Sequence, residues 1–248
     1  MKQTLLEMVQ EILSDMNSDS VNSITDTLEA TQVARIIKSV YEIHMTSGDW
    51  PHLMRLFSLA SSTDNTKPTH VYLEDDVANI EWVKYDVRED VDDPVKYRDV
   101  RWLEPKEFID FVMQRDPSKD NVQTVMDYHG TPLLILKDHS PTYFTSFDDD
   151  FIVMDSYDAT VDSTIQASKT QAFGKVLPDF QLANEYTPDL PAKHFPAFKE
   201  ECKSTSFLRI KEVFDAKADA YSKKGRSFLD REKRRTTNGV RYPNYGRK

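Results

Sequence analysis

Asp26-Thr-Leu-Glu-Ala-Thr-Gln-Val-Ala-Arg-Ile-Ile-Lys-Ser-Val-Tyr-Glu-Ile-His44 is the stretch with the strongest periodicity in the chain. Val33, Ile36, Ile37, Val40 and His44 recur at three- and four-residue spacings, which lines them along one face of a helix. Asp26-Thr-Leu-Glu29 reads as a capping box at its start, and Gly48 supplies a stop. Upstream, Leu5, Met8 or Val9, Ile12 and Met16 mark a shorter helix. The loop Ser18-Asp-Ser-Val-Asn-Ser23 separates the two. With Trp50-Pro51 and the apolar run Leu53–Phe57 added, residues 1–58 read as an N-terminal helical hairpin.

The period changes beyond it. Across 59–190 short runs of aromatic and β-branched residues stand between turn-formers: His70–Leu73, Ile80–Val87, Leu133–Leu136, Thr142–Phe147 and Phe151–Tyr157. The last two flank Asp148-Asp-Asp150 and predict a hairpin. One helix interrupts from about Pro105 to Arg115, with Phe108, Ile109, Val112 and Met113 inward. Ser163–Leu177, rich in Thr, Ser and Gln, predicts an exposed extended strand or arm of weakly specified register. Helix returns over 191–224, where Phe198, Cys202, Thr205 and Leu208, then Ile210, Val213, Phe214, Lys217 and Tyr221, form faces expected to pack on the first hairpin. Residues 225–248 read as an extended basic arm with too few apolar anchors for a core. The fold class expected is α+β: a helical hairpin or bundle with an inserted small antiparallel β region and the C-terminal arm.

The chain has 248 residues, 39% of them apolar and 30% charged, and a net charge of −10. Six glycines occur, no two closer than seven residues, so neither a G-x-G-x-x-G nor a G-x-x-x-x-G-K loop can be written. Dinucleotide-binding dehydrogenases, kinases and P-loop ATPases are excluded. The single Cys202 excludes an internal disulfide and a cysteine-built zinc site. No apolar run reaches the roughly 18 residues of a membrane span, and the N-terminus lacks a signal-peptide apolar region. The expectation is a soluble protein, in the cytoplasm when made.

Candidate chemistry is sparse. His44, His52, His70, His129, His139 and His194 form no H-x-x-x-H or H-E-x-x-H pair, although His129 and His139 flank the run 133–136. Asp148–Asp150, Glu74-Asp75-Asp76 and Glu89–Asp93 read as solvated turns rather than cation sites. Cys202 falls on an apolar helix face and reads as a small hydrophobe. Trp50, Trp82 and Trp102 read as core or interface anchors. No nucleophile elbow or catalytic constellation is visible. The chain reads as a non-enzyme with no cofactor, no metal and no membrane contact.

Charge is distributed unevenly. Lys199–Lys248 holds 15 basic and 7 acidic residues, whereas residues 1–198 hold 17 and 35. Two readings of the basic segment compete. Its cations could neutralise nucleic-acid phosphates, as in a small regulatory protein. Alternatively it docks on an acidic protein surface and orders on binding, which Tyr242, Pro243 and Tyr245 favour as anchors. The partner-binding residues expected are Arg226, Arg231, Arg234, Arg235, Arg241, Tyr242, Tyr245 and Arg247.

Ser23-Ile24, then Leu28-Glu-Ala-Thr-Gln-Val33-Ala-Arg-Ile-Ile37 running to Gly48-Asp49-Trp50, resembles the head–tail adaptor proteins of short-tailed bacteriophages, the tail tubular protein A or head completion class. The resemblance in residue pattern covers 23–50, and the middle, roughly 60–190, is enlarged relative to shorter members. It implies a structural virion protein of the neck. Twelve copies would form a ring joining the portal protein to tail nozzle or fibre proteins, with DNA passing through the lumen without sequence-specific binding. The basic arm would bind the portal. Another tail-completion or baseplate component is the related alternative.

Overall fold

The computed structural model describes residues 2–48, 50–88, 92–213, 216, 218–225 and 227. In chain order its elements are α1 (Leu5–Asp15), α2 (Leu28–Thr46), β1 (Met54–Phe57), β2 (His70–Tyr72), β3 (Val77–Asp86), β4 (Tyr97–Trp102), α3 (Pro105–Met113), β5 (Val122–Met126), β6 (Pro132–Leu136), β7 (Tyr143–Ser146), β8 (Phe151–Met154), β9 (Thr170–Val176) and α4 (Phe195–Ile210). Residues 218–225 are also helical. Two compact units result: Met1–Met54 with Leu177–Lys248, and Arg55–Val176.

The first unit is helical. α1 and α2 bury Leu5, Met8, Val9, Ile12, Leu13, Val33, Ile37 and Tyr41 in one cluster with Phe195, Phe198 and Cys202 of α4. Trp50, fully buried, anchors the far end and donates its indole N–H to the His44 carbonyl at 2.7 Å. Helix starts obey capping chemistry, but not where the sequence pattern put it. The box sits on α1, where Thr4 accepts from the Glu7 N–H and Glu7 reaches back to the Thr4 N–H. On α2 the cap is Thr27, accepting from Ala30, while Asp26 turns back to accept from the N–H groups of Asn22 and Ser23. Lys199–Glu11 and Lys203–Asp15 tie α4 to α1 at 2.7 and 2.6 Å.

The second unit corrects the expected fold class. The protein is a mixed α/β molecule dominated by a curled seven-stranded sheet, not a helical bundle carrying a small β region. The strand order is β1-β9-β3-β4-β7-β8-β2, and β5 and β6 form a separate hairpin. Its core joins Val83, Tyr85, Val100, Phe144, Ile152 and Val153 of the sheet to Phe108 and Val112 of α3 and to Val125, Leu133 and Ile135 of the hairpin. The sequence pattern under-reads the sheet at three of its strands. β4, Tyr-Arg-Asp-Val-Arg-Trp, buries only Val100 and exposes the rest. β1 was absorbed into the apolar run after Trp50; in the structure that run divides into a 3₁₀ turn ending at Leu53 and the strand Met54–Phe57. β9 lies in the polar segment expected to be an exposed extended strand or arm.

That segment is interior. β9 lies between β1 and β3, its register fixed from Val77↔Val176 to Tyr85↔Thr170, and Ile165 and Ala172 are wholly buried. Two register shifts interrupt the ladder, between Val77/Asn79 and Ile80/Trp82. Such bulges bend a strand and increase its twist. Gly174 permits them: a Cβ there would stand 2.0 Å from the Asn79 carbonyl oxygen. The β7–β8 hairpin forms with Asp148-Asp-Asp150 as its turn. The Asp148 carboxylate accepts from the N–H groups of Asp150 and Phe151, and Asp149 takes a left-handed φ of 63°.

Candidate functional site

The bend in β3 has a consequence on its other edge. β3 pairs with β4 only through Val83–Asp86 against Tyr97–Val100. Beyond Val100, Arg101 and Trp102 pair in parallel with Tyr143 and Phe144 of β7. Among the described residues the first part of β3, Val77–Trp82, therefore has one strand neighbour, β9. Between the splayed strands opens a groove of about 570 Å³, walled by Leu73, Val77, Ile80, Trp102, Phe144 and Ile152. Trp102 is 48% exposed, its ring edge-on to Phe144 at 5.4 Å between centroids. A tryptophan that sheds so little water is unusual for a core anchor and common in a contact surface.

The charged residues in the groove wall, Glu81 and Asp149, are both acidic. At one end two acidic turns meet: Glu74-Asp75-Asp76 between β2 and β3, and Asp148-Asp149-Asp150 between β7 and β8. The Leu73 N–H donates to the Asp150 carbonyl at 2.9 Å, and the Tyr72 hydroxyl donates to Asp75 at 2.6 Å. Its hydrogen bond to Asp75, with the nearby charges of Asp75, Asp150 and Glu74, raises the Tyr72 phenol above its usual pKa. An apolar trough, the strand edge opposite β9 and an acidic rim thus coincide.

Other clusters are paired within the fold, although His70 Nδ1 is buried without a hydrogen-bond partner. His70, with a fully buried side chain, meets Asp127 at 3.0 Å, and burial lowers its pKa below the ordinary 6.5 against the raising effect of Asp127. Arg115 forms an ion pair with Asp155 at 2.7 Å and donates to the carbonyls of Leu134 and Asp155. Asp155 also accepts from the Thr142 and Tyr143 N–H groups, locking the start of β7. A wider groove of about 800 Å³ lies by Tyr85–Arg88, Asp93–Lys96 and Asp138–Ser140. Its charges are of both signs, and some are paired: Arg88 with Asp86 at 2.7 Å, and Lys169 with Asp162 at 3.4 Å. It presents no field of one sign. In the helical unit His44 meets Glu201 at 2.6 Å, and burial, with the Glu201 charge, pushes the Cys202 thiol well above its usual pKa. Among the described residues no three His, Cys, Asp or Glu side chains are grouped to hold a metal, and no helix is long and apolar enough to cross a membrane.

The basic-arm residues Arg226, Arg231, Arg234, Arg235, Arg241, Tyr242, Tyr245 and Arg247 lie outside the described residues. Sequence reasoning missed the groove: it took both acidic triads as solvated turns and Trp102 as an anchor with no place assigned. The signal was present in the two triads, each joined to a short aromatic strand. No family model and no curated protein matches the chain. The residues behind the adaptor resemblance, Ile24, Val33, Ile36, Ile37 and Trp50, are buried in the helical core.

Proposed function

We propose that the chain is a structural assembly protein, a head–tail connector subunit that joins a portal to tail components as one of about twelve ring copies in the virion neck. The observation that carries this reading is the division of charge. Residues 1–198 are strongly acidic and Lys199–Lys248 strongly basic, so each copy offers complementary surfaces to different neighbours. The resemblance of residues 23–50 to phage adaptors supports the same assignment. In this reading the basic segment docks on an acidic portal surface, with Tyr242 and Tyr245 as anchors and Arg226, Arg231, Arg234, Arg235, Arg241 and Arg247 pairing with carboxylates. An acidic body lets DNA pass without adhering.

The test is co-sedimentation with portal rings from the genome that carries this chain. The full chain should sediment with portal, and a chain ending at Lys224 should stay in solution. Tyr242→Ala with Tyr245→Ala should cost about 2–4 kcal/mol of binding if both are buried anchors. Equal sedimentation of the truncated chain overturns the assignment of the segment. The basic residues also favour a nucleic-acid reading, and duplex DNA distinguishes it: DNA affinity would fall steeply with salt.

A further inference from the structure

We propose that the groove beside β3 is the receptor for the basic C-terminal segment, residues 228–248, of a second copy of this chain. The proposal goes beyond the connector reading and stands without it: it concerns chains free of portal, and a segment lying in a neighbour's groove must leave it before Tyr242 can anchor on a portal.

Three observations converge. The first is the edge of Val77–Trp82 opposite β9, which among the described residues borders the groove and no strand. An extended peptide can add there as a strand, main-chain hydrogen bonds supplying affinity and alternate side chains filling the trough. The second is complementary charge. The groove wall and its rim carry Glu74, Asp75, Asp76 and Asp149, whereas residues 228–248 carry seven basic and two acidic residues. The third is the segment's own pattern. Val240 and Tyr242 share a face at the two-residue period, with Arg241 on the opposite face, and Pro243 ends the ladder because it has no N–H to donate. Val240 and Tyr242 would enter the trough beside Trp102, while the run Lys233-Arg234-Arg235 meets the acidic turns.

A second copy is the occupant because donor and receptor are different surfaces of one chain. Such a head-to-tail contact repeats identically from copy to copy, and it closes into a ring when the rotation allows. The segment therefore has an acidic partner among its own kind before any other protein is present.

Carbodiimide coupling of the full chain, mixed in equal parts as nitrogen-15-labelled and unlabelled protein, tests this directly. It joins carboxylates to lysine amines in contact. The expected products are mixed-isotope links from Lys233 or Lys248 to Glu74, Asp75, Asp76, Asp149 or Asp150. Links within a single isotope only would mean that the segment folds onto its own chain. Links from these lysines to other carboxylates, or none, would mean that the groove is not its receptor; either result overturns the proposal. Sedimentation velocity supplies the second arm. Glu74→Gln with Asp75→Asn and Asp76→Asn, all at exposed turn positions, should weaken self-association of the full chain at least tenfold, as should Trp102→Ala. Unchanged self-association in both variants also overturns it. Failure here leaves the portal experiment untouched, and portal binding could fail while these links form.

Discussion

Gly174 shows how one missing side chain shapes the groove. With a Cβ placed 2.0 Å from the Asn79 carbonyl oxygen, the bulged ladder between β9 and β3 could not close without backbone movement. Gly174→Ala should therefore destabilise the protein by about 2 kcal/mol or more, the range of overpacking at a rigid backbone contact. Denaturant unfolding checks it, and an unchanged midpoint would mean the bulge is not held there. His70 gives a pH prediction. Burial holds its imidazole below the ordinary value of 6.5, outweighing the hydrogen bond to Asp127 that raises it. The unfolded chain then takes up the proton more readily than the folded one. Stability attributable to His70 is complete above about 6.5 and is lost as the pH falls through the lower folded value. Unfolding midpoints should drop more between about pH 7.5 and pH 5.5 for the native protein than for His70→Gln; parallel curves would contradict this.

At the scale of elements, legibility followed periodicity. α2 could be read because Val33, Ile37 and Val40 repeat toward one core, and α3 because Phe108 and Val112 do so behind Pro105. The β7–β8 hairpin could be read because Asp148–Asp150 is a turn with a mechanism. β4 could not be read, since a strand exposed at five of its six positions carries no alternation. β9 could be read as extended but not as interior, since its Thr170 and Lys175 are buried as polar residues and its place depends on β3, some ninety residues earlier. Local sequence does not encode a pairing over that distance; it is fixed when the two strands meet. The two acidic triads are visible in the sequence but not the rim they form, because Glu74–Asp76 and Asp148–Asp150 become one feature only after β2 and β8 pair. Deleting residues 163–176 removes the strand between β1 and β3 and should abolish cooperative folding of the Arg55–Val176 unit. Retention of native circular dichroism with a cooperative melt would place β9 at the periphery.

For the whole molecule, the chain enters and leaves the sheet unit on neighbouring strands, β1 and β9. A unit with adjacent ends and its own core has the anatomy of an inserted domain. Residues 55–176 expressed alone should fold and melt cooperatively, as thermal unfolding would show; a broad, non-cooperative melt would contradict that autonomy. Charge is the other whole-molecule property, and it is what the functional proposal rests on: acidic surface on the body, basic residues concentrated after Lys199. Negative-stain images of the full chain mixed with portal rings test the central claim most directly. The account predicts an added ring of about twelve copies seated coaxially on the portal. Bare portals beside unbound chain, at concentrations where both are soluble, would contradict it.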